Sequence, residues 1–313
     1  MDKKYKILLV ILFVALIAFS GCAKKQKTEA IPAAAAFVGG SDGIKISLLP
    51  GQPQSPVYEN QQFQIGVQIE NKGEGEVTPP IWLSVSGINV DSFKLDPAPP
   101  VSIATSLMPV RKTGNTIIPG GQTQKMFKAK APEIVGAEQQ FPLRVAAIYN
   151  YASKAVAAAC IKEDLYQQTT GGTEICKLTG SKTVASAGAP IKVTSVEENP
   201  SGFQIKIKNV GGGYPFKYAT FPTTEGAINQ YEDKNWVTIK SITLGKTELK
   251  DNCGQTEVYL VNNEAQIFCT ADLQAQTEYV EQLTIELSYG YVSTVSTTLN
   301  VQGILGGTPQ EES

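Results

Sequence analysis

An all-β fold, with two sandwiches in tandem behind an export segment, is what this sequence predicts. Three observations carry the prediction. Short stretches alternate apolar and polar residues and are broken by Pro, Gly and Asn. The second half repeats the motifs of the first. No run with a helical period stands out beyond the N-terminal apolar stretch. Many short strands without interleaved helices lead to a sandwich.

The alternation is clearest in "FQIGVQIENKG" (63–73). Phe63, Ile65, Val67 and Ile69 fall on one face, Gln64, Gly66, Gln68 and Glu70 on the other. That is a period of two, closed by an Asn-x-Gly turn signal. "IWLSVSGINV" (81–90), "KMFKAKAP" (125–132) and "FPLRVAAIYNYASKAVAAACI" (141–161) continue the pattern, with Pro79, Pro80, Pro97, Pro99 and Pro100 between them. The repeat then matches Phe63 to Phe203, Asn71 to Asn209, and Leu143 and Val145 to Leu283 and Ile285. It also matches "YNYAS" (149–153) to "YGYVS" (289–293), and pairs the only two tryptophans, Trp82 and Trp236. The expected organisation is one sandwich over 41–185, a linker "SAGAP" at 186–190, a second sandwich over 191–303 and a tail over 304–313.

Residues 1–21 read as a targeting segment. A net basic start is followed by "ILLVILFVALIAFSG", 15 residues without a charge, which end at Cys22. A membrane-spanning helix needs roughly 20 apolar residues and a signal core roughly 7–15. A retained anchor helix is the competing reading. Residues 22–40 lack an apolar period and read as a tether. Five cysteines are present. Beyond Cys22 there are four, Cys160, Cys176, Cys253 and Cys269, in two pairs of equal spacing. An even count in an exported chain implies disulfides. Three connectivities are possible; the local one, Cys160–Cys176 and Cys253–Cys269, is preferred. A four-thiolate zinc site is the rival, and the absence of C-x-x-C speaks against it.

Two resemblances add to this reading. "FSGC" (19–22) resembles the lipobox of prokaryotic lipoproteins, with Phe19 in place of the usual Leu. It implies lipidation of Cys22, which would become the mature N-terminus on the extracytoplasmic side of the cell membrane. One acyl chain anchors only marginally, and the diacylglyceryl group implied by that family supplies two. The N-x-G turn after an early alternating strand, the "PGG" turn (119–121) and the "FKAKAP" strand (127–132) resemble the CARDB-like immunoglobulin-fold modules of bacterial and archaeal surface proteins. That resemblance implies two immunoglobulin-like sandwiches.

Composition removes several chemistries. Twenty-seven basic and 29 acidic residues give a net charge of −2, with no basic footprint for nucleic acid. There is no histidine, so Ser-His-Asp and Cys-His nucleophiles and His-ligated catalytic zinc are excluded. No S-x-x-K or phosphate-binding G-x-x-x-x-G-K-[ST] occurs. The expectation is therefore no catalytic residues, no metal and no cofactor. Paired carboxylates survive as an enzymatic alternative, with Glu197 and Glu198 or Glu232 and Asp233 as candidates. Adjacent strand residues point to opposite faces, however. "NQYEDKN" (229–235) offers oxygen ligands for calcium but no EF-hand spacing. The two Tyr-x-Tyr pairs read as core, with carbohydrate stacking as the sharper alternative.

The aromatic run "YPFKYATFP" (214–222) lies in an insertion of the second repeat. With Tyr214, Phe216, Tyr218 and Phe221 it is the expected contact loop for a protein or glycan partner, unless it covers a sheet edge. Together these observations predict a lipid-anchored, non-enzymatic surface protein for binding, adhesion or envelope scaffolding. The alternatives are an extracellular carbohydrate-active enzyme or a subunit of an envelope assembly complex.

Overall fold

The computed structural model describes residues 37–166 and 175–304. Cys22, the signal segment, most of the tether and nearly all of the tail lie outside the described residues. Among the described residues the chain is almost entirely β. The strands of the first half are β1 (Ile44–Leu48), β2 (Val57–Tyr58), β3 (Gln62–Asn71), β4 (Ile81–Ser86), β5 (Val101–Ile103), β6 (Arg111–Thr113), β7 (Thr116–Ile118), β8 (Gln122–Lys130) and β9 (Glu138–Ile161). Those of the second half are β10 (Gly180–Lys182), β11 (Val184–Ser186), β12 (Ile191–Asn199), β13 (Gly202–Asn209), β14 (Tyr214–Phe216), β15 (Trp236–Leu244), β16 (Thr247–Glu248), β17 (Glu257–Tyr259), β18 (Glu264–Thr270) and β19 (Tyr279–Gln302). Two short 3-10 turns, Glu225–Ala227 and Lys250–Cys253, are the helical elements among the described residues.

A ten-stranded sheet runs β16-β15-β19-β9-β4-β5, with β2, β11, β14 and β17 attached to it. Its centre is the pair β9 and β19, each 24 residues long and antiparallel in unbroken register from Tyr279↔Ile161 to Gln302↔Glu138. Two smaller sheets, β1-β3-β8 and β10-β12-β13-β18, complete the sandwich layers. The first lies by the start of β9, where the rings of Phe63, Phe93 and Phe141 stack edge to face at 6.3 and 5.0 Å. The second lies by the end of β9, where the Glu198 carboxylate of β12 accepts the Cys160 N–H. Each long strand thus starts in the half encoded by its own repeat and finishes in the other.

Alternation explains why one strand can serve both halves. Leu143, Val145, Ala147, Tyr149, Tyr151, Ala155, Ala157, Ala159 and Ile161 are all buried, and all project from the same face of β9. The core continues through Ile65, Phe127, Ile205 and Phe203, which are inaccessible to solvent. Each such side chain contributes about 1.5–3 kcal/mol on leaving water. The described residues form one compact unit. Residues 186–190, expected as a linker, are built into it: Ala187 and Ala189 are buried, and the Pro190 carbonyl accepts N–H bonds from Val210 and Gly211.

The long strands cross at four tyrosines. Tyr151 faces Tyr289, and Tyr149 faces Tyr291, on either side of Asn150↔Gly290. All four are at most 2% exposed, and ring centroids lie 5.9–6.2 Å apart. These residues pack as core, as their period predicts. Their hydroxyls all find partners inside the protein. The matching of Trp82 with Trp236 does not hold. Trp82 pairs with Ile148 of β9, and the residue that pairs with the equivalent Ser288 of β19 is Thr238. The offset is two residues, which preserves the alternation of faces, so the sequence does not reveal it.

Candidate functional site

The insertion carrying the aromatic run is divided by the fold into an inner and an outer part. Tyr214–Phe216 pair with β19, Tyr214 opposite Val292 and Phe216 opposite Gly290. This part covers a strand edge, which was the alternative reading of the sequence. Phe216 is 1% exposed and packs with Ala146, Ile148, Ile228 and Val292, against Trp82 and Tyr214. Phe216 is therefore core rather than contact surface. Gly290 makes this possible, since a Cβ there would collide with the Phe216 ring.

Polar bonds hold the rest of the insertion to the shared sheet. Arg144 of β9 donates to Glu225 through Nε at 3.0 Å and Nη2 at 2.8 Å, a bidentate pair. The Tyr214 hydroxyl donates to Glu225 Oε1 at 3.1 Å, and the Lys234 ammonium sits 4.4 Å over the Tyr214 ring. Arg144 beside Glu225 holds that carboxyl below its ordinary value, while burial and the Glu225 charge push the Tyr214 phenol up. The Asp233 carboxylate accepts the Asn229 N–H and the Thr220 hydroxyl. Asp233 is thereby a loop-closing group, and Glu232 beside it is exposed.

The outer part of the insertion faces solvent. Tyr218 is 43% exposed, Phe221 65% and Tyr231 91%. Phe221 and Pro222 border a shallow depression with Pro80, Trp82 and Asn150. Nearby, the Trp236 and Tyr259 rings meet at 5.4 Å, inclined by 60°, with the Lys217 ammonium 5.1 Å from the Trp236 ring. Of the four expected contact residues, Tyr218 and Phe221 are exposed, Tyr214 is half-buried, and Phe216 is enclosed. Tyr231 and Tyr259 join this aromatic surface and were not singled out from the sequence. Tyr231 is an isolated aromatic among polar residues and Tyr259 lies in the apolar run "VYLV", so neither gave a signal of exposure.

Both disulfides form with the local connectivity, Cys160–Cys176 and Cys253–Cys269. Glu278 lies beside the first bridge, and its Oε1 accepts the N–H groups of Ile175 and Cys176. The bridge occupies both sulfurs, so the thiolates a zinc ion would require are not free. Compared with known proteins, the sequence matches no family model, and no curated protein shows significant similarity to it. Among the described residues no helix is long and apolar enough to cross a membrane.

The carboxylate candidates do not converge on a common space. Glu198 is buried in an ion pair with Lys182 and accepts the Cys160 N–H at 2.9 and 3.1 Å, whereas Glu197 is exposed on the opposite face. Burial raises the Glu198 carboxyl above its ordinary value, and Lys182 and the Cys160 N–H oppose that. The group secures the end of β12 to the end of β9.

Proposed function

We propose that this chain is a lipid-anchored extracytoplasmic protein, joined to the membrane through Cys22, that binds a protein or glycan partner without chemical turnover. The observation that carries the reading is the division of the insertion at 214–235. Its inner part is bolted to the shared sheet by Phe216 and the Arg144–Glu225 pair, and its outer part holds Tyr218, Phe221 and Tyr231 in solvent. Aromatic rings on a rigid frame bind at low entropic cost. The two disulfides support an oxidising compartment. The immunoglobulin-like character of the sandwiches belongs to the same proposal and rests on the resemblance of the turn and strand motifs.

The experiment has two arms. Cys22→Ser should move the protein from the membrane fraction to the soluble one, and continued membrane retention would make residues 1–21 a spanning helix. The protein is then passed over a glycan panel and cross-linked on intact cells. Retention or cross-linking that drops at least tenfold in Tyr218→Ala/Phe221→Ala supports the contact surface. Product formation from any glycan would replace the binding role with an enzymatic one.

A further inference from the structure

Residues 111–119 are exposed without a break. Within them β6 and β7 pair with each other and with no other strand. A two-stranded ribbon that packs on nothing is marginal in water. This one nevertheless leaves Ile117 and Ile118 56% and 46% exposed. The register sets Arg111 opposite Ile118 and Lys112 opposite Ile117, so each face of the ribbon carries one cation and one isoleucine. The surrounding sequence has a single sign of charge: Pro97 to Pro132 contains five Lys or Arg residues and no Asp or Glu.

The base of the ribbon and the entry of the N-terminal segment hang from consecutive residues. The Val110 N–H donates to the Gly73 carbonyl at 2.8 Å, and the N–H groups of Val38 and Gly39 donate to the Glu74 carboxylate at 2.9 Å. Phe37 lines the same open groove of about 540 Å³ as Arg111 and Lys112, together with Glu74 and with Glu286 paired to Lys154 and Lys240. Cys22 precedes Phe37 by 15 residues. A chain of that length reaches about 50 Å at most. An anchor at Cys22 therefore keeps this corner of the fold near the bilayer.

We propose that the β6–β7 ribbon is a bilayer-contacting element that takes an anionic phospholipid surface. Ile117 and Ile118 enter the interfacial layer, and Arg111 and Lys112 meet lipid phosphates. The assignment rests on the lipid anchoring of Cys22. A short basic apolar segment is the kind of second signal that strengthens and orients an acyl anchor, each cation adding about fivefold to partitioning.

The test uses the mature lipidated protein on vesicles of phosphatidylcholine alone or with phosphatidylglycerol added. Trypsin cleavage after Arg111 and Lys112 is normalised to cleavage after Lys246, which is exposed in the β15–β16 turn. Cleavage at the ribbon should slow at least about fivefold on the anionic vesicles, and Ile117→Ser/Ile118→Ser should restore it. Both isoleucines are exposed, so the variant leaves the core untouched. Equal cleavage on the two vesicles overturns the proposal. Vesicle flotation reads the anchor separately: protein that floats yet is cleaved equally overturns the ribbon alone, and protein that does not float overturns the anchor with it.

Discussion

The loops Asn71–Gly75 and Asn209–Gly213 are built alike, and the halves around them are closed differently. In the first, Asn71 Nδ2 donates to the Gly75 carbonyl at 2.7 Å, the Gly73 N–H donates to Asn71 Oδ1, and the Tyr151 hydroxyl accepts the Gly75 N–H at 3.0 Å. In the second, Asn209, Gly211, Gly213 and Tyr291 repeat each bond at 2.9, 3.2 and 3.0 Å. The strand starts match too, with the Ile44 N–H on the Tyr149 hydroxyl and the Ile191 N–H on that of Tyr289. Ser293 bonds Tyr149 at 3.0 Å; its counterpart Ser153 influences Tyr289, yet its Oγ meets no partner at hydrogen-bonding geometry.

The divergence lies at position 74 and in the sulfur. Glu74 accepts N–H bonds from Val38, Gly39 and Gly188, while Gly212 stands at the equivalent place with no side chain, and a Cβ added there would meet only open space. All four bridged cysteines lie in the second half, because β9 carries Cys160 across to sit opposite Val280. The repeated residues are those that fix where the long strands meet. The unrepeated ones are those that close each half, one with a carboxylate clamp and the other with cross-links.

Removing the sulfur should disturb this comparison most. Opening each bridge is expected to cost about 3 kcal/mol for a loop of this size, read from denaturant midpoints under reducing and oxidising conditions. Hydrogen exchange should then quicken in β12, β13 and β18 while β1, β3 and β8 keep their protection. Equal quickening in both small sheets would show that the shared sheet spreads the loss.

A smaller effect sharpens the likeness. Tyr151→Phe and Tyr291→Phe each strip a loop N–H of its acceptor, and each should cost about 1–2 kcal/mol. Near-equal losses would confirm the equivalence, and a milder loss at Tyr151 would credit the Glu74 clamp. The phenols also give an alkaline signature. Burial pushes Tyr291 up to about 12 and raises Tyr149 and Tyr289 well above their ordinary value. Unfolded phenols lose protons near about 10, so the folded state holds more protons from there upward and stability falls as pH rises. Ultraviolet titration should show these groups ionising only with unfolding.

The smallest expected effect belongs to the insertion, which the first half lacks. Arg144 lowers the Glu225 carboxyl, so the folded state holds fewer protons than the unfolded one just below the ordinary value of 4.5. The pair's contribution is complete above that value and is lost as pH falls through the lower folded one. With Arg144 partly exposed it amounts to less than about 1 kcal/mol. Tryptophan fluorescence from Trp82, which packs against this cluster, should follow that acid change in the wild type and not in Glu225→Gln.

Much of this was legible in the sequence. Period-two alternation located β3, β4, β8 and β9, the repeat located β13 and β15, and the Asn-x-Gly signals marked the two matching loops. Equal spacing of the four cysteines indicated their pairing. Strand exchange was not legible, because alternation tells which face of "YNYASKAVAAACI" is buried and not which strand lies beside it. Its length was the unused signal, since a single sandwich has no use for a strand of 24 residues. The two tryptophans are out of step by two residues, which keeps them on matching faces and leaves the offset invisible to alternation. Phe216 misled because an aromatic in an insertion looks the same whether it faces water or a glycine in the neighbouring strand.

The unbroken register of β9 and β19 bears on how this protein is made. On the ribosome β9 is complete long before Tyr279 has been added, so a long edge rich in alanine and valine must wait for its mate. Until then it is open to any other nascent chain. Crossing a membrane unfolded, and assembling only once the whole polypeptide has arrived, would spare it that interval.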